Sequence, residues 1–290
     1  MTEHPPHRVA CDPQVPSWQT IELPDTWPDR INFRRPAELL RVLRQVFGRR
    51  RAGVDLPGDI PGNDHIPKYA LQEFHNLPNG NYSKCISRGY ITGFERVMLG
   101  QLNSVRKANA QLLRDCQSVL DVGCAGGRMA AVLKDIGIDD VWAIDPSPYL
   151  LQHAAADNPG IKFIQGTAEN TGFAANRFDG IAICFVLHEI PPRYFTLALQ
   201  EFHRILKDGG KLVIAEPSSL QLRLSARDIF RRWGLRGLYF RLLAKRAHEP
   251  FLDAWHQQNL ANQFAQHGFH LLSDIDDLPI RQLVAEKIAT

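Results

Sequence analysis

Val119-Leu120-Asp121-Val122-Gly123-Cys124-Ala125-Gly126-Gly127 is the stretch on which the reading of this 290-residue chain turns. VLDVG (119–123) is an apolar strand, and GRMAAVLKDIG (127–137) follows with the spacing of an amphipathic helix. The turn between them has no bulky side chain. Such a turn lets a ligand approach the backbone, and the helix N-terminus behind it favours negative charge. A dinucleotide fingerprint of the GxGxxG type needs glycine at 125 and 128. The chain has Ala125 and Arg128 there, so that reading fails on spacing.

Strand and helix keep alternating downstream. VWAID (141–145), IKFIQG (161–166), FDGIAICFV (178–186) and KLVIAE (211–216) read as further strands. PYLLQHAA and FTLALQEFHRIL (195–206) read as helices, the second ending at a KDGG turn. Short β-branched strands separated by helices imply a parallel sheet covered on both faces. A basic helical stretch follows at 218–247, then a helix around 253–267, and GFHLLSDI and IRQLVAEKIA suit a last strand pair. Upstream, residues 1–67 read as an irregular, proline-rich arm that packs through Trp18 and Trp27. Its one short helix lies at 37–48, with Gly48 as a stop, and Arg49-Arg50-Arg51 begins a solvated connection. Residues 68–117 read as helices around the turn-rich loop NLPNGNYS, ahead of a domain at 118–290.

Asp121-Val122-Gly123-Cys124-Ala125-Gly126-Gly127 resembles motif I of the class I S-adenosylmethionine-dependent methyltransferases, DxGxGxG, with Ala125 in place of the middle glycine. Asp145 closes the second strand where that family places an acid for the ribose hydroxyls. Gly166-Thr167-Ala168-Glu169 resembles its G-x-A-E segment beside the adenine. HRILKDGGKLVIAE matches the broad subgroup that includes the ubiquinone and menaquinone biosynthesis enzymes. The resemblance implies an α/β fold with a Rossmann-like, seven-stranded, mainly parallel sheet and an irregular and helical N-terminal extension. It also implies S-adenosyl-L-methionine as cofactor, with Asp121, Gly123, Ala125, Gly127, Asp145, Ala168 and Glu169 as its binding residues. The implied activity is C- or O-methylation of a small organic acceptor, hydrophobic ones included.

Past the fourth strand, Phe185-Val186-Leu187-His188-Glu189 falls where relatives face the reactive methyl group. His188 has two readings there. It is a general base for the acceptor proton, or with Glu189 it begins and caps the next helix. Tyr82 and Tyr90 suit a lid, and Glu216-Pro217 reaches the same rim as substrate contact or plain turn. Residues 221–247 carry eight basic residues against Asp228 beside many apolar ones. That pattern fits a lid helix or peripheral contact with an anionic membrane, and the lid comes first because Gly234 and Gly237 interrupt the apolar face. A net charge of +3 gives no general argument for nucleic-acid binding. Pro191-Pro192 lies between Ile190 and Arg193, without the polar and stacking groups for a flipped base. A non-catalytic cofactor- and partner-binding protein is a further alternative, with 1–67 as the contact surface. Cys11, Cys85, Cys116, Cys124 and Cys184 are odd in number and never spaced as CxxC, so neither a disulfide framework nor a metal site is expected. With no signal-peptide core or membrane-length apolar run in the sequence, a cytoplasmic location is expected.

Overall fold

The computed structural model describes residues 11–32, 34–47 and 53–289. Gly48 and the Arg49-Arg50-Arg51 run lie outside the described residues. Seven strands form one sheet in the order β3-β2-β1-β4-β5-β7-β6. They are β1 (Ser118–Val122), β2 (Asp140–Asp145), β3 (Lys162–Gln165), β4 (Phe178–Cys184), β5 (Leu206–Pro217), β6 (Phe269–Asp276) and β7 (Ile280–Lys287). β1 to β5 pair in parallel, and β7 runs antiparallel to both β5 and β6. This is the doubly wound sheet that the alternation implied. Its strand order reverses at β1, beside β4, where sheets of this kind bind ligands.

The central strands are buried on both faces and divide their side chains by parity. Leu120, Val122, Ile181, Ile183, Leu212 and Ile214 pack one way, with Phe195, Leu199 and Phe202 of α6 (Pro192–Ile205). Val119, Val141, Ala143, Ala182 and Val213 pack the other way. They meet Ala110 of α3 (Gln101–Leu112), Leu133 of α4 (Arg128–Asp135) and Leu151 of α5 (Pro148–Asp157). Period-2 alternation in strands and period-3.6 spacing in the helices thus close one core on each face.

Three details differ from the sequence reading. The KDGG turn lies within β5, because Leu206 already pairs with Phe178 before a register shift. The helix read around 253–267 is two, α9 (Leu252–His256) and α10 (Leu260–Gln266). Asn259 separates them, its side chain capping α10 by accepting the Asn262 N–H. The basic stretch is a short α7 (Leu220–Arg223) followed by α8 (Ala226–Arg246), broken at Gly234 with φ 64° and ψ −151°.

The arm is bound along the body. Its helix, α1 (Pro36–Phe47), follows a segment in which Trp18 is 2% exposed and donates its indole N–H to the Phe163 carbonyl at 2.8 Å. Tyr149 and Gln152 of α5 donate to the carbonyls of Pro24 and Ile21. The next helix, α2 (Lys84–Val97), then lies over the carboxyl end of the sheet, with Ile91 against Gly126.

Candidate active site

The loop after β1 is held in left-handed backbone at Gly123 (φ 67°), Ala125 (φ 46°) and Gly127 (φ 72°). A Cβ added at Gly123 would lie 2.3 Å from the Val186 side chain, and one at Gly127 would lie 2.7 Å from the Phe163 ring. Ala125 tolerates a conformation that costs an L-residue about 1–2 kcal/mol. Its N–H is fixed by Asp145 Oδ2 at 2.9 Å. Asp145 Oδ1 accepts the Ser147 N–H at 2.9 Å, so one carboxylate ties together the ends of β1 and β2. Asp121 is 1% exposed and accepts the Ala130 N–H at 3.0 Å. Burial pushes both carboxyls up to about 7, with backbone N–H groups offsetting only part of the desolvation.

Asp121, Gly123, Ala125, Asp145 and Ala168 line one cavity, closed from the α2 side by Asn81, Tyr82, Tyr90 and Ile91. Gly127 and Glu169 do not line it. Gly127 packs against Phe163, and Glu169 accepts the Tyr69 hydroxyl at 2.8 Å on each oxygen. Glu169 thereby joins the 68–70 turn to the loop after β3.

A second cavity, of about 400 Å³, is walled by Ile86, Met98, Phe240, Leu243 and Leu252 and reaches His188. Tyr90, Phe94 and Phe185 line both cavities and form the seam between them. His188 is 1% exposed, with Nδ1 2.6 Å from Glu216 Oε2. Glu216 in turn accepts the N–H groups of Val186 and Leu187. Burial opposes charge on His188, yet Glu216 outweighs it and raises the imidazole to about 9. The next helix is capped by Pro191 rather than by His188 or Glu189, and the His188 ring is instead held by Glu216 at the end of β5.

Residues 120–214 match the methyltransferase domain family. A demethylmenaquinone methyltransferase of Paenarthrobacter aurescens is 42% identical over 101 residues, 34% of this chain and 38% of the relative. A ubiquinone/menaquinone biosynthesis C-methyltransferase of Sinorhizobium fredii is 33% identical over 121 residues, 42% of this chain and 36% of the relative. The chain carries a methyltransferase domain over residues 120–214. It spans less than half the length of these two relatives. The fold is shared with an O-methyltransferase family protein of Burkholderia thailandensis, at a TM-score of 0.50 and 12% identity over 68% of this chain and 59% of the other.

The methyltransferase domain fits its cofactor by observations of its own. Asn81 Oδ1 is buried at the first cavity without a hydrogen-bond partner among the described residues. Asp121 and Asp145 are buried carboxyls held near neutrality by desolvation, the condition that a cationic, hydroxyl-bearing ligand relieves. Sequence motifs located Asp121 and Asp145. They gave no signal for Asn81, Ile91, Phe94 or Met98, which belong to segments without a motif.

Proposed function

We propose that the protein transfers a methyl group from S-adenosylmethionine to a small, apolar organic acceptor, at carbon or oxygen. The observation that carries this is the seam of Tyr90, Phe94 and Phe185, where a polar, acid-lined cavity meets an apolar one of about 400 Å³. When bound, S-adenosylmethionine supplies a methyl group activated as a sulfonium. The chain's own part is positioning and exclusion of water. Asp121 and the Gly123–Ala125 turn hold the amino-acid end. Asp145, with a free lone pair on each oxygen, takes the ribose hydroxyls. Thr167 and Ala168 border the base. The aromatic seam keeps water from the reacting atoms, and the His188–Glu216 pair fixes the floor beneath the acceptor.

The names of the two relatives support a ring-bearing, lipophilic acceptor of the quinone-precursor kind. An apolar lining of Ile86, Met98, Phe240 and Leu243 suits such a molecule better than a nucleobase. α8 contributes to this in two ways. Its inner face, Phe240 and Leu243, walls the cavity, as the lid reading has it. Its outer face leaves Phe230 51%, Leu235 76% and Leu242 50% exposed beside Arg231, Arg232 and Arg236, which supports peripheral contact with an anionic bilayer from which a lipophilic acceptor enters. No described helix is long and apolar enough to cross a membrane.

The test is metabolite profiling of a deletion strain complemented by wild type or by Leu243→Trp, a change that fills the second cavity. The expected result is an apolar species short by one methyl group, matured by wild type and not by the variant. Full maturation by Leu243→Trp would remove the second cavity from the reaction.

A further inference from the structure

His75, Glu189 and Glu249 are far apart in sequence, in the segment before α2, the turn after β4 and the turn after α8. The fold brings them together so that one ligand atom from each lies within 4.8 Å of the others. His75 Nδ1 is 2.6 Å from Glu249 Oε1, and His75 Nε2 is 3.0 Å from Glu189 Oε1. The side chains are 15%, 21% and 7% exposed in the order His75, Glu189, Glu249. Neither His75 Nε2 nor Glu249 Oε2 has a hydrogen-bond partner among the described residues. The 3.0 Å approach of Glu189 is therefore close without having the direction of a hydrogen bond. His75 adopts left-handed backbone, φ 56°, at this point.

We propose that His75, Glu189 and Glu249 bind one divalent transition-metal ion at the seam between the two cavities. The surroundings have the layered form of a metal site. Behind Glu249 Oε2 stands His188 Nε2 at 3.6 Å, and behind His188 stands Glu216 at 2.6 Å. One imidazole with two carboxylates suits Mn²⁺, Fe²⁺ or Zn²⁺, being too nitrogen-rich for Ca²⁺ and lacking the sulfur that Cu⁺ prefers. Three protein ligands leave coordination positions open. Glu189 lines the first cavity, whereas His75 and Glu249 line the second, so the three ligands stand between the two cavities. An ion there would hold an oxygen of the acceptor as a Lewis acid.

The site stands on its own residues and is tested without turnover. Full-length protein is stripped with chelator and dialysed against Zn²⁺ and then Mn²⁺, with bound metal counted by elemental analysis. The expected result is one ion per chain. Glu249→Gln, which keeps the side chain's shape, and His75→Ala should each weaken binding by about tenfold or more. Metal should also raise the melting temperature of wild type and leave that of Glu249→Gln unmoved. The proposal is overturned by no stoichiometric binding of either ion up to roughly millimolar concentration. It is equally overturned by wild-type affinity in a folded Glu249→Gln protein. Loss of methyl transfer with metal binding intact would count against the proposed function and leave the metal site standing.

Discussion

Asp121→Asn should make the ligand-free protein more stable at pH 8 while weakening its hold on cofactor. Asp121 is 1% exposed, accepts one hydrogen bond, from Ala130 N–H, and is raised to about 7, chiefly by burial. An acid whose folded pKa lies above its unfolded value favours folding in its protonated form. Wild type therefore carries no penalty at this residue below about pH 4 and loses stability as pH rises from about 4 to about 7. A rise of about three units corresponds to on the order of 4 kcal/mol at full ionisation. Asparagine keeps an oxygen for the Ala130 N–H and cannot ionise. The difference between variant and wild type should be near zero at pH 4 and approach its maximum above pH 7. Urea unfolding from pH 4 to 8 measures it, and calorimetric titration with S-adenosylhomocysteine should show affinity reduced by about 1.5–3 kcal/mol, the scale of hydrogen bonds to charged groups. A variant destabilised equally at every pH would refute the claim that Asp121 is a desolvated carboxyl awaiting a cation.

Asp145→Ala should weaken S-adenosylhomocysteine binding by about 1.5–3 kcal/mol in the same titration. It should also lower stability, since the N–H groups of Ala125 and Ser147 lose their acceptor. Trp18→Ala should cost about 3–5 kcal/mol in urea unfolding, because the arm is docked through a buried ring and a bond to Phe163; a change under about 1 kcal/mol would make the arm a separate appendage. Anionic liposomes should sediment with wild type at low salt and release it at high salt. Arg231→Gln, Arg232→Gln and Arg236→Gln together should abolish that binding, each arginine near the surface contributing about 1 kcal/mol.

How far the sequence revealed this site follows from which contacts are local. The turn after β1 was legible because one continuous run, Asp121 to Gly127, makes both the strand end and the helix start. Asp145 was legible because it ends a strand in register with β1, Val122 lying opposite Ile144. Glu169 was placed by motif position alone, and the motif carries no information about Tyr69, a hundred residues earlier, which engages its carboxylate. His188 stayed open between a general base and a structural role in the sequence because Glu216, at the end of another strand, is adjacent to it only through β4–β5 pairing. His75 and Glu249 gave no signal at all. Their nearness depends on the segment before α2 docking on the end of α8, where the His75 N–H meets the His248 carbonyl. Trp18 and Trp27 were read as rings that pack the arm on the body, and Trp18 does so through Phe163.

The central claim is that cofactor and acceptor meet at Tyr90, Phe94 and Phe185, each from its own cavity. A crystal structure with S-adenosylhomocysteine tests it most directly. The account expects the ribose hydroxyls on Asp145, the amino-acid end at Asp121 and the sulfur facing the three aromatic rings with the second cavity beyond them. A ligand lying in the second cavity, or bound in the first with its sulfur turned away from Phe185, would contradict it.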